Sequence, residues 1–302
     1  MTSAVFAGVV RDCARYLPGV LENLARFARL YDQARFVFVV SDTADRSAAM
    51  LARWVGSRGR VIDAGILHER LPRRTERIAF ARNLCLDEIR RFSAGSGHLV
   101  MLDLDDVLAQ PVSSEAFVEA AAWLDADPRR AGAFANSTPR YYDTWALRHP
   151  RWCAGDCWRP IWRRPSDETY EAAKFREVFA RQIAIPPGLP PIAVDSAFGG
   201  LGLYRMSYAL QARYRGLDAD GEETCEHVAF NRDIRNAGGV LHIFPLLRVH
   251  APPEHLYRAA DFRWPWRLRM ARNELIAKVR PPWRRLALAP RSDPTNGANT
   301  HA

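Results

Sequence analysis

Lysine is almost missing from this chain. Of its 43 basic side chains only Lys174 and Lys278 are lysines, and the rest are arginines, whose planar fork suits bidentate contacts with phosphate. The five cysteines are scattered and odd in number, which excludes a disulfide-stapled scaffold and points to a reducing, cytoplasmic setting. No stretch of 18 apolar residues occurs, so no helix is expected to span a membrane. The opening Met1-Thr2-Ser3-Ala4 runs straight into an apolar strand pattern, without the basic start of a secretory leader. An internal repeat is also absent. What is present is ordinary for a globular protein: 302 residues, 48% of them hydrophobic and 25% charged, enough to bury a sizeable core.

The net charge is +9, and it is local. Between Asp261 and Arg291 stand nine basic and two acidic residues, with Trp264, Trp266 and Trp283 among them. Such a surplus seeks an anionic partner: a nucleotide, a phosphorylated sugar, a membrane face or a nucleic acid. Nucleic acid is not expected, because an acidic cluster elsewhere would repel a polyanion and the surplus is confined to this window. Pro265 in a first turn and the closing Pro281-Pro282 bracket a helical pattern. That helix would lie in the plane of an anionic leaflet, or pack on the main domain with its arginines in water. The tail from Arg291 is polar, contains proline and glycine, and is expected to be disordered.

Apolar patterning predicts strands at Val5–Val10, Phe36–Val40, Val61–Ile62 and Leu99–Leu102. They alternate with helices over Pro18–Tyr31, Ala48–Val55, Thr75–Phe92 and Ser114–Leu124. This alternation predicts an α/β fold with a mostly parallel, Rossmann-type sheet flanked by helices. Farther on come a helix at Thr169–Gln182, a stiff proline connector (Pro186–Pro191), a glycine-bearing strand stretch over Ile192–Arg205, a helix at Cys225–Ala237 and a strand at Val240–Phe244. Polar clusters fall where parallel sheets bind ligands, past the carboxyl ends of strands: Arg11-Asp12, Ser41-Asp42-Thr43 and Asp103-Leu104-Asp105-Asp106.

The sharpest chemical signal is the pair Asp103 and Asp105. Residues i and i+2 at a strand end lean the same way, and two acids so placed are costly unless a cation neutralises them. Hard oxygen ligands select Mg²⁺ or Mn²⁺, bound together with substrate phosphates. The bland alternative is a solvated acidic loop. A second spacing, His149, Cys153 and Cys157 at intervals of four, would share a helical face, but a fourth zinc ligand is lacking and free thiols are expected.

Two resemblances bear on the acid cluster. Met101–Leu108 resembles the nucleophilic motif of haloacid-dehalogenase-like phosphatases. That mechanism wants a later lysine, and only Lys174 or Lys278 could serve. The other is to nucleotide-sugar glycosyltransferases of the GT-A fold. Phe38 to Ser47, with its Ser-Asp-Thr-Ala-Asp turn, resembles their second-strand motif; Ala81-Arg82-Asn83 is similar to their Ala-Arg-Asn element; Asp103-Leu104-Asp105 is similar to their Asp-x-Asp. Tyr142–Arg148, Ser196–Arg205 and Cys225-Glu226-His227 resemble a narrower group, the capsule-type α-1,3-mannosyltransferases and their bacterial relatives. The likeness covers residues 1 to about 256, and it departs where the second-strand turn lacks its usual glycine and where His227 replaces an Asp.

The resemblance implies a metal-dependent transferase. It would move a sugar, mannose in the narrower group, from a nucleotide-sugar donor to a saccharide or lipid-linked saccharide acceptor in surface polysaccharide synthesis. The metal, Mn²⁺ or Mg²⁺, would be held by Asp105, Asp103 and His250; Arg11, Asp42, Arg82, Asn83 and Asp103 would line the donor site. Asp143, Trp145, Arg148, Asp195, Gly199 and Gly200 would face the acceptor. Read from the residues alone, Glu226 would be the general base of an inverting transfer, or a helix N-terminal acid favoured by the dipole, and His227 could replace it or bind phosphate; the narrower resemblance implies a retaining transfer, in which Glu226 is not a deprotonating base. The expected organisation is a domain over 1–256, its nucleotide half 1–125 and its acceptor half 126–256. A basic aromatic segment (257–290) and a disordered tail (291–302) follow. The enzyme would be cytoplasmic, with a peripheral seat on the inner membrane face if the basic segment binds lipid.

Overall fold

Four parallel strands form the first half of the sheet: β1 (Ser3–Val10), β2 (Gln33–Val40), β3 (Gly59–Asp63) and β4 (His98–Asp103). Phe36–Val40 and His98–Leu102 are buried throughout, as expected for strands covered on both faces. β1 lies between β2 and β4, and β3 extends the edge beyond β2. Helix α1 (Leu17–Ala28) turns Leu17, Val20, Leu24 and Phe27 onto the core, an apolar stripe at three- and four-residue spacing. α2 (Ser47–Val55) and α3 (Arg74–Arg90) follow, and α4 (Ser114–Asp125) opens where the Ser113 hydroxyl accepts the Ala116 N–H, an N-cap. The computed structural model describes residues 1–257 together with Leu268, Ala271, Arg272 and Leu275. The expected membrane-facing helix and disordered tail therefore lie outside the described residues, those four apart.

The second half is mixed. It comprises β5 (Arg130–Thr138), α5 (Arg159–Trp162), α6 (Tyr170–Glu177), β6 (Ile192–Val194), β7 (Leu201–Arg205), α7 (Met206–Ala209), α8 (Glu226–Asn236) and β8 (Val240–His250). The eight-stranded sheet runs β3-β2-β1-β4-β7-β5-β8-β6. β7 is antiparallel to both of its neighbours, β8 is parallel to β5, and β6 closes the far edge antiparallel to β8. This is an α/β fold whose sheet is parallel over its first four strands and mixed beyond them.

Two expectations change. β5 is a full central strand that the patterning did not predict. The stretch Ile192–Arg205 is two strands on different parts of the sheet, and Gly199 and Gly200, at φ 68° and 81°, lie in the link between them. Because β7 is reversed, its amino end joins the carboxyl ends of β1, β4, β5 and β8 on one rim. Gly200 places its carbonyl to accept the Asp103 N–H at 2.9 Å, so the glycine turn holds the end of β4.

Candidate active site

A cavity of about 500 Å³ opens on this rim. Its acids come from the end of β4 (Asp103, Asp105), the loop after β5 (Asp143), the start of α8 (Glu226) and the turn after β8 (Glu254). Helix α3 supplies Arg82, buried to 2% exposure. Its Nη2 donates to Asp103 Oδ1 at 2.7 Å and its Nε to Glu226 Oε1 at 3.0 Å, while Nη1 has no partner among the described residues. The guanidinium also lies over the Phe198 ring, 4.9 Å from its centroid. One arginine thus ties the metal-ligand candidate Asp103 to the base candidate Glu226.

Asp105 caps the short turn Asp106–Leu108, accepting the Val107 N–H at 3.3 Å. Burial, with the charges of Asp103 and Asp106 beside it, pushes its carboxyl up to about 7. Asp143 is pushed up to about 6 by burial, although the N–H groups of Gly199 and Ala146 donate to it at 2.9 and 3.3 Å. His227 is buried and stacks on Phe198 with ring centroids 3.7 Å apart. Burial and the neighbouring Arg82 hold it well below the ordinary histidine range, which favours the neutral ring, and neither ring nitrogen has a hydrogen-bond partner among the described residues. Its Nε2 is 3.5 Å from Glu226 Oε1.

The residues present suit a divalent ion that shares its shell with a substrate. Among the described residues no group of three or more histidine, cysteine and carboxylate side chains is arranged as a metal cage. Two neighbouring carboxylates, of which Arg82 pairs with Asp103 and not with Asp105, are nevertheless the donor set that Mg²⁺ or Mn²⁺ takes alongside substrate phosphates.

The cavity therefore gathers Arg82, Asp103, Asp105, Asp143, Trp145, Glu226 and His227. The other predicted residues stand elsewhere. Arg11 is exposed and faces Asp12 at 3.8 Å. Asp42 accepts from the N–H groups of Leu67 and His68 and from the His68 ring at 2.7 Å, which locks the loop after β3. Asn83 exchanges both amide bonds with the backbone of Tyr214. Arg148 donates to Asp156 at 3.1 Å, and Asp195 pairs with Arg235 at 2.7 Å. Gly199 and Gly200 sit behind the lining: a Cβ on Gly200 would come 2.6 Å from Val107 Cγ1. His250 is the exposed last residue of β8, paired in register with Thr138.

Several lining residues had no sequence signal as site residues: His255, which stacks on Tyr142 with centroids 5.6 Å apart, Gln182, Trp158 and Arg74. Lys174 also lines it; the sequence marked it by its rarity and as one of two lysines that the phosphatase reading could use. The His149–Cys153–Cys157 set holds no zinc-like cluster: Cys153 Sγ lies near the carbonyls of Thr144 and Gly155, and Cys157 near the Thr144 hydroxyl.

No family model and no curated protein sequence matches the chain. Solved structures do. The chain is similar to a mannosyltransferase, PcManGT from Pyrobaculum calidifontis, solved with GDP-mannose and Mn²⁺: 15% identity, TM-score 0.45, covering 94% of this chain and 67% of that one. It is likewise similar to Staphylococcus aureus TarS residues 1–349, at 11% identity and TM-score 0.45, covering 94% and 73%. The same TarS segment with UDP-GlcNAc gives 13% identity and TM-score 0.42, covering 91% and 67%. These are distant likenesses in the course of the chain; its chemistry is read from its own side chains.

Proposed function

We propose that this protein is a glycosyltransferase that moves a sugar from a nucleotide-sugar donor to a saccharide acceptor with the help of a divalent cation. The observation that carries the reading is the convergence of Asp103 and Asp105 at the end of a buried parallel strand with Arg82 and Glu226, in one cavity at the carboxyl rim of the sheet. Asp105 and Asp103 would hold the cation, which when bound would offset the negative charge of a leaving diphosphate. Arg82 brings a fixed positive charge to the same place at no cost of reorganisation, and its Nη1 is a donor without a partner among the described residues. Glu226 is a carboxylate available to take a hydroxyl proton in an inverting transfer; its bond to Arg82 supports a second role, orienting that arginine.

The test is a screen of UDP- and GDP-sugars for hydrolysis that depends on Mn²⁺ or Mg²⁺. Hydrolysis of at least one donor, lost in chelator, is expected; none with any donor would overturn the reading. Lys174 lines the same cavity as the acids, as a phosphatase of the haloacid-dehalogenase type would want. Release of phosphate from a small ester, without donor hydrolysis, would select that reading.

A further inference from the structure

One wall of the cavity is built by the segment between β5 and β6, and its chemistry differs from that of the acidic floor. Trp145 and Trp158 line the cavity with ring centroids 6.3 Å apart. Trp158 in turn stacks on Trp162, centroids 6.4 Å apart and planes within 23°. Trp162 is 44% exposed, so the aromatic surface continues out of the cavity toward solvent. Lys174 on α6 holds its ammonium over the rings of Phe179, Trp158 and Tyr170, at 5.2, 5.7 and 5.8 Å. Neither it nor Arg74, which also lines the cavity, makes an ion pair among the described residues. Gln182 is buried to 2% exposure and lines the same space; its amide nitrogen donates to the His255 carbonyl at 2.7 Å, while its oxygen has no hydrogen-bond partner among the described residues.

We propose that this wall is the acceptor subsite, and that it takes a saccharide carrying an anionic substituent. The proposal rests on the glycosyltransferase reading and names the substrate class of that site. Flat indole faces suit the C–H faces of sugar rings, and a surface running through Trp145, Trp158 and Trp162 is longer than one ring. A buried carbonyl oxygen without a donor suits a hydroxyl. Lys174, a cation without a carboxylate partner among the described residues and held over three aromatic rings, suits an acid, and Arg74 adds a second such cation to the cavity from the start of α3. The sheet order separates this wall from the donor side: among the described residues, no lining residue comes from the loops after β1 or β2. The wall stands over the β5 half, with Asp103 and Asp105 between the two.

The test is direct binding to the full-length protein, read by ligand-observed NMR and calorimetry. The probes are three disaccharides with one backbone: a neutral hexose form, its hexuronic acid form and its hexose 6-phosphate form. At low salt one or both charged forms should bind at least about tenfold more tightly than the neutral one, and the tighter of the two names the anionic group. Lys174→Gln should abolish that preference and Lys174→Arg should keep it. Trp158→Ala should weaken all three probes, and Trp158→Phe should recover most of the loss, which separates a lost stacking face from a lost fold. Equal binding of neutral and charged forms, or a preference unchanged in Lys174→Gln, would overturn the proposal. A nucleotide-sugar titration of the same samples keeps the two failures apart. Donor binding without saccharide binding rejects only the subsite; binding of neither rejects the glycosyltransferase reading as well.

Discussion

Arg82 carries two carboxylates at once, and both are needed to make its burial tolerable. Its side chain is 3% exposed, and those of Asp103 and Glu226 are 28% and 7% exposed. Removing one partner of a buried pair costs about 3–5 kcal/mol when it orphans the other; here Asp103 remains, so Glu226→Gln should cost less, about 2 kcal/mol. If Glu226 is also the base, turnover should fall by at least about 100-fold while donor affinity stays nearly unchanged. Loss of donor affinity together with thermal stability would assign the residue to holding Arg82. Asp105 offers a cleaner separation, because among the described residues its carboxylate accepts one hydrogen bond, from the Val107 N–H. Asp105→Asn keeps the size and removes the charge that a cation would balance, so metal-dependent donor turnover should drop at least about 100-fold. Full activity of that variant in chelator would refute the metal assignment.

At the scale of elements, the link between β6 and β7 decides whether the end of β4 is held. Gly200 needs φ of 81°, and a Cβ there would press 2.6 Å from Val107, two residues past Asp105. Gly200→Ala should therefore cost about 1–3 kcal/mol and depress turnover, as read by urea unfolding and donor hydrolysis. An unchanged turnover would mean that the glycine turn does not set the acid cluster. The same turn shows what the amino-acid pattern can and cannot reveal. Phe36–Val40 and Leu99–Leu102 are legible because strands buried on both faces need continuous apolar runs. β5 was invisible because Arg130–Thr138 fills the centre of the sheet with Ala, Gly, Asn and Ser, residues with little strand signal that are set there by what packs on them. The stretch Ile192–Arg205 read as one strand because local pattern does not register a crossover between two strands that run the same way, β6 at the sheet edge and β7 in its interior, linked through two left-handed glycines. At the site, Asp103, Asp105 and Arg82 were legible from their motifs. His250 was not the residue that reaches the cavity: β8 runs on to His250, and His255, one short turn later, is the histidine that lines it.

Across the whole molecule, buried titrating groups pull stability in opposite directions over one pH window. His98 lies between Tyr31 and Asp125, hydrogen-bonded to each at 2.9 Å, yet burial keeps its affinity for protons below the ordinary value. His227, stacked on Phe198, is held lower still. Both hold a proton less readily in the fold than in the unfolded chain, so as pH drops below about 6.5 the unfolded chain binds more protons and stability falls. Asp105, raised to about 7, and Asp143, raised to about 6, do the reverse. Between about pH 4 and those values the folded chain holds protons that the unfolded chain has lost, so stability falls as pH rises. The wild-type profile between pH 5 and 7 is the difference of these contributions and should be shallow. Substitution exposes the balance. His227→Phe keeps a ring on Phe198 and removes one acid-sensitive group, so its stability relative to wild type should grow as pH drops below 6.5. The expected growth approaches about 1.4 kcal/mol per pH unit, one proton's worth. Urea unfolding of both proteins at pH 5.0, 5.5, 6.0 and 7.0 measures this. A difference that stays constant across the series would mean that His227 takes up its proton as readily in the folded protein as in the unfolded chain, and that the neutral buried ring assigned here is wrong.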